Sequence, residues 1–386
     1  MEEVQVMSLE EAAQAISNED APITQRMTAL FAARYHGGEG AVRALSSGLN
    51  ASPDNCSILL RHEIAYNLGQ VQHPEAVPIL RRLLDDPRED EMVRHEAAEG
   101  LAAVGTKETY EMIRAHLTDP SVPVRDTVAL ALMSLEQKHP ELKEGREGGM
   151  EGPSDGFVSC GCLVAERPVR NPFKEEGGKR GADGEKEAGA KENEGRGNGL
   201  LERGSSSSSS TKGAGKEAEK EGGEVFGTVD PMAAEKNVTA ADIPRLEAQL
   251  KDEGAPLWKR YEALFALRNL ASQSPEALRV LGRAMREDRA SAVFRHEVAF
   301  VLGQLEPKDP EVLESLIECL KSTEEHPMAR HEAALALGAV GSEEAVTALR
   351  TFLADPELVV AESCVVGLDF CGIAAELPFE LRQTVA

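Results

Sequence analysis

The chain has 386 residues, 41% hydrophobic but only 4% aromatic, with 67 acidic against 42 basic side chains and a formal charge of −25 at pH 7. Nucleic acid and anionic membrane surfaces would repel such a protein, which argues against either as a partner. No apolar run approaches the ~20 residues that span a bilayer, and Met1-Glu2-Glu3-Val4 lacks the basic start and apolar core of a secretory signal. Six scattered cysteines (Cys56, Cys160, Cys162, Cys319, Cys364 and Cys371) are too few for a disulfide framework at this length. Abundant Ala, Leu, Glu and Arg favour helix. The expectation is a reduced, cytoplasmic, all-α protein.

Residues 1–140 read as a first arm of helical hairpins. Val77, Leu80 and Leu84 recur at helical spacing, as do Val93, Ala97, Leu101 and Val104. Asp86-Pro87, Gly105 and Asp119-Pro120 mark the breaks between them. Residues 141–242 change character: they hold 20 of the 34 glycines, the Ser205–Ser210 run and mixed Glu/Lys/Gly stretches. Such composition buries too little apolar area to offset the entropy of ordering, so most of this segment is expected to be a disordered linker. Its 21 acidic and 15 basic side chains net −6, which leaves −19 on the flanking arms. Cys160-Gly161-Cys162 has no second Cys pair or nearby His, so no metal site is read there.

Residues 243–386 form a second arm that copies the first. Arg61-His62-Glu63 and Leu68-Gly69-Gln70 recur 234 residues later as Arg295-His296-Glu297 and Leu302-Gly303-Gln304. Met92 to Ala98 and Asp119-Pro120 recur 236 residues later as Met328 to Ala334 and Asp355-Pro356. Inside each arm the His-Glu pairs are 33 and 35 residues apart, and each interval spans two helices. This period predicts an α-solenoid of about four hairpins per arm, with the His-Glu pairs on the inner helices.

Four of the nine histidines therefore sit in Arg-His-Glu at equivalent points. Packing alone would place the triplet in every repeat, yet the hairpins around Val124-Arg125-Asp126-Thr127 and Val360-Ala361-Glu362-Ser363 lack it. Imidazole with carboxylate suits intermediate first-row metals. Positions 66, 99, 300 and 335 are Tyr, Glu, Phe and Leu, so no pair extends to the His-Glu-x-x-His of zinc proteases. Adjacent side chains on a helix diverge by about 100°. Two neighbouring inner helices can instead converge two His and one carboxylate, the ligand set of non-haem iron oxygenases. If the duplicated arms face one another, a two-metal centre forms between them. Zinc is redox-inert and would not activate dioxygen there, whereas iron would, and manganese also suits the ligands. Two Glu are left over beside the metals, suited to a cationic substrate.

The duplicated arms, the four Arg-His-Glu triplets, the two Leu-Gly-Gln tripeptides and Val359-Val360-Ala361-Glu362-Ser363-Cys364 together resemble the deoxyhypusine hydroxylases. The likeness covers roughly residues 20–140 and 245–371. It implies HEAT-type repeats and a di-iron monooxygenase with two Fe(II) per chain and dioxygen as co-substrate. Its substrate would be deoxyhypusine on a basic loop of the hypusine-containing translation factor, with an unidentified electron donor. By the same resemblance the metal ligands fall on His62, His95 and Glu96 in the first arm and on His296, His331 and Glu332 in the second. Glu63 and Glu297 would grip the substrate's amines. The linker is longer than the family pattern, with Asn171-Pro172-Phe173 and Thr228-Val229-Asp230-Pro231 flanking the insertion. One chain supplies both arms, so a monomer is expected. The residues leave open a non-enzymatic HEAT scaffold for a basic partner, a chromophore-lyase-like solenoid and a di-metal hydrolase.

Overall fold

The computed structural model describes residues 7–50, 56–145 and 228–374, all of which belong to one compact unit. Cys160-Gly161-Cys162, the serine run and most of the expected linker lie outside the described residues. Among the described residues there are sixteen α-helices and no strand, and no helix is long and apolar enough to cross a membrane.

The helices fall into eight antiparallel hairpins, four in each arm. In the first arm α1 (Leu9–Ser17) pairs with α2 (Ile23–His36), α3 (Gly38–Ser46) with α4 (Ile58–Val71), α5 (Val77–Asp85) with α6 (Glu91–Val104), and α7 (Lys107–Arg114) with α8 (Val122–Lys138). The second arm repeats this as α9 (Ile243–Lys251) with α10 (Leu257–Ala271), α11 (Pro275–Glu287) with α12 (Ala292–Leu305), α13 (Pro310–Lys321) with α14 (Pro327–Val340), and α15 (Glu343–Thr351) with α16 (Leu358–Phe370). Even-numbered helices pack on one another as an inner row, and odd-numbered helices form the outer row. The two rows follow from sequence. Outer helices are one-sided: α5 buries Leu80, Leu83 and Leu84 and turns Arg81 and Arg82 outward. Inner helices are small and apolar on most faces, so α6 is buried along most of its length, from Met92 to Ala102.

Helix ends are set by short polar caps. Ser57 and Ser291 accept from the third amide of α4 and α12, while Asp90 and His326 accept from Met92 and Met328 at the starts of α6 and α14. Gly105 and Gly341 close α6 and α14 with φ of +71° and +62°, a conformation that costs a side chain most. Gly69 lets α4 approach α6 so closely that a Cβ there would sit 2.6 Å from the Gly100 Cα, and Gly338 meets Gly367 in the same way.

The arginine of each Arg-His-Glu triplet locks its repeat to the next. Arg61 pairs with Glu89, Arg94 with Asp119, Arg295 with Glu325 and Arg330 with Asp355, each acid lying in the loop before the following inner helix. Arg94 and Arg330 also donate Nε–H to the Leu84 and Leu320 carbonyls at the ends of the outer helices, which have no helical partner of their own. The inner rows of the two arms meet at both ends, α16 against α2 and α4, and α8 against α10 and α12. Residues 228–230 cross between the arms and are clasped by both. Val229 N–H donates to Gln70 Oε1 at 2.9 Å, Gln304 Nε2 to Thr228 Oγ1 at 3.1 Å, and Arg268 holds Asp230 through two bonds of 2.8 and 2.5 Å.

Candidate metal centre

Each of the four central inner helices, α4, α6, α12 and α14, presents its His-Glu pair one to two turns from its N-terminus. All eight side chains are at most 1% exposed. The four imidazoles gather into one cluster drawn from both arms. Ring centroids lie 5.6 Å apart for His62–His95, 5.0 Å for His296–His331 and 5.0 Å for His62–His331.

The duplication recurs in the spacing of the candidate donor atoms. His62 Nε2 lies 3.5 Å from Glu96 Oε2, and His296 Nε2 lies 3.5 Å from Glu332 Oε2. His62, His95 and Glu96 place donor atoms within 4.8 Å of one another, and a second such grouping joins His62 to His296 and His331. In the second arm His331 Nε2 is 3.0 Å from His296 Nε2 and 3.9 Å from Glu332 Oε2. Two nitrogens bound cis to a first-row metal at ~2.1 Å stand about 3.0 Å apart, so this spacing suits ligands sharing one cation. Glu63, Glu297 and Glu332 all lie outside both groupings, although Glu63 Oε1 is 3.7 Å from His62 Nδ1 and Glu332 Oε2 approaches His296.

Several buried polar atoms here make no hydrogen bond among the described residues: both carboxylate oxygens of Glu63 and Glu297, His95 Nε2, Glu96 Oε2 and His331 Nδ1. Each such atom costs about 1–3 kcal/mol, a burden that cations and a cationic ligand would offset. Thr127 Oγ1, 3.5 Å from His95 Nδ1, helps orient that ring with Nε2 toward the cluster.

Burial and mutual repulsion set the protonation of the cluster. Burial, with the neighbouring imidazoles, holds His95, His296 and His331 well below the usual histidine range, so they are neutral and available as ligands. Burial pushes Glu96 and Glu297 well above the usual carboxylate range, reinforced in both cases by Glu99. Divalent cations would reverse that shift and hold the carboxylates ionised. The donor set therefore fits bound metal.

Two site components have no local signal in the sequence: position 99 is legible there only as a place where histidine is missing, and Asp230 only as part of the linker. Only the fold places Glu99 and Asp230 beside the His-Glu cluster.

The HEAT-repeat family model matches residues 54–134 and 284–369. Deoxyhypusine hydroxylase of Rattus norvegicus is 33% identical over 351 residues, covering 90% of this chain and 86% of that protein. The Homo sapiens deoxyhypusine hydroxylase is 32% identical over 350 residues, with the same 90% and 86% coverage. The solved structure of the human enzyme in complex with glycerol superposes with a TM-score of 0.67 at 31% identity, covering 94% of this chain and 96% of that one. With similarity over nearly the whole length and all four His-Glu pairs gathered in one buried cluster, the chain belongs to the deoxyhypusine hydroxylase family.

Proposed function

We propose that the chain hydroxylates deoxyhypusine, N-(4-aminobutyl)lysine, on the hypusine-containing translation factor, using dioxygen and two Fe(II) ions. The convergence of four duplicated His-Glu pairs into a single buried cluster carries this reading. One ion is assigned to His62, His95 and Glu96 and the other to His296, His331 and Glu332. When bound, the iron pair supplies the electrons that activate dioxygen. Over one turnover a C–H bond and dioxygen become a C–OH bond and water, consuming two protons and two electrons from an external donor.

The chain's own residues do the rest. Glu63 and Glu297 accept N–H bonds from the substrate's amines with the four oxygens that make no hydrogen bond among the described residues. Fixed on α4 and α12 next to His62 and His296, they hold the aminobutyl chain against the centre. Full burial of the His-Glu pairs keeps bulk water from the reacting carbon. The arms' excess of negative charge draws in the basic loop that carries the modified lysine. Both arms come from one chain, so the enzyme acts as a monomer, and it works in the cytoplasm.

Iron quantitation with a single-turnover assay on deoxyhypusine-bearing translation factor tests the reading. About two irons per chain and formation of hypusine are expected. Bound iron without hydroxylation would leave a di-metal hydrolase as the better account.

A further inference from the structure

The residue one helical turn after each histidine, on the same face of its helix, differs between the arms. After His62 and His95 these positions are Tyr66 and Glu99, whereas after His296 and His331 they are Phe300 and Leu335. All four are buried, so the second arm closes its side of the centre with apolar side chains and the first arm presents polar ones.

The first-arm side also opens. A cleft runs between the C-terminal halves of α4, α6 and α8 and the clasped segment, lined by Tyr66, Glu96, Glu99, Lys138 and Asp230. Glu96, whose Oε2 makes no hydrogen bond, is among its lining residues, so the cleft reaches the ligand cluster. Its outer wall is fixed, because Asp230 is held by Arg268 and Val229 by Gln70. Lys138 lines the cleft and is partly open to solvent; burial lowers its pKa, while Asp230 and Glu99 beside it favour the ammonium.

We propose that the substrate's aminobutyl chain approaches the centre from this narrow first-arm cleft, with the Glu99 carboxylate accepting N–H bonds from its amine on the way in. Glu99 lies one turn beyond Glu96 on α6, so a cation passing the mouth meets it before reaching the ligands. Lys138 sets the opposite term, since its ammonium repels an incoming amine. The assignment rests on the hydroxylase reading above.

The test uses the iron-loaded full chain and a deoxyhypusine-bearing protein substrate. Affinity is measured by anaerobic titration, and KM and kcat in air. Glu99→Gln is expected to raise Kd and KM about tenfold, as for loss of one charge-assisted hydrogen bond, with the effect on KM rather than kcat. Lys138→Ala is expected to lower Kd two- to fivefold. Glu99→Asp keeps the charge and restores most of the affinity, and Phe300→Leu in the closed arm leaves Kd within twofold. Iron content should match the unaltered chain in all four. Kd values within twofold for both Glu99→Gln and Lys138→Ala, alongside normal turnover, overturn the cleft while sparing the function. Iron loss in Glu99→Gln overturns it as well, by assigning Glu99 to the metals. An unaltered chain that binds iron but neither binds nor hydroxylates the substrate overturns both readings.

Discussion

Ser57 donates its hydroxyl to Glu362 at 2.5 Å across 305 residues of chain, tying the cap of α4 in the first arm to the last inner helix of the second. The duplication repeats the tie in reverse: Ser291, the cap of α12, reaches Asp126 on α8 at 3.3 Å. Burial raises both acids to about 7, opposed at Glu362 by Ser57 and Arg26 and at Asp126 by Ser291 and Arg125. A carboxyl whose folded pKa is raised binds its proton more tightly in the folded chain. Its stabilisation is complete below the ordinary carboxylate range and is lost as pH rises through about 7. The melting temperature should therefore fall from about pH 4.5 to just above pH 7 and level off beyond it, and the Glu362→Gln, Asp126→Asn double variant should flatten the profile. An unchanged slope in that variant would assign the pH dependence elsewhere.

Ligand and substrate roles separate by metal content. His62→Ala and His331→Ala should lose most of the iron and at least ~100-fold in turnover, because each removes a donor from a cluster in which spacing is fixed by helix packing. Glu63→Ala and Glu297→Ala should retain iron yet bind substrate at least tenfold more weakly. Equal iron loss across all four variants would refute this division.

The repeat locks carry stability rather than chemistry. Arg94→Ala leaves Asp119 buried without its cation and strips the Leu84 carbonyl of its donor. Removing one partner of a buried pair costs about 3–5 kcal/mol. Denaturant unfolding should show a loss of that size, and a change below 1 kcal/mol would mean that the pair contributes little.

Deleting residues 176–222 should leave the melting temperature within about 3 °C of the full chain and turnover within about twofold. The segment is dominated by Gly, Ser, Glu and Lys, and loop length changes the entropy of connection only slowly. Loss of activity with retained iron would instead give the segment a role in engaging the protein substrate.

Much of the architecture was legible because it repeats. One offset of 234 to 236 residues located every His-Glu pair, and Gly105 and Gly341 marked where their helices stop. Helical periodicity identified the outer stripe of Leu80 and Leu84 without help from tertiary structure. The unseen parts are those with no local signature. Nothing near Ser57 announces Glu362, and Gln70 and Gln304 read in the sequence as parts of a repeated tripeptide, whereas in the fold they hold the crossing segment between them. Glu99 follows the same rule, since its meaning lies in the contrast with Leu335 and in a cleft made by other helices.

The clasp on residues 228–230 also has a mechanical consequence. Thr228 and Val229 are fastened to one glutamine from each arm, and Asp230 to Arg268. A pull, a tag or an added length of chain introduced upstream is grounded at this anchor before it reaches the His-Glu helices. The anchor acts as a strain relief, and it leaves the chain free to lengthen ahead of residue 228 without detuning the centre.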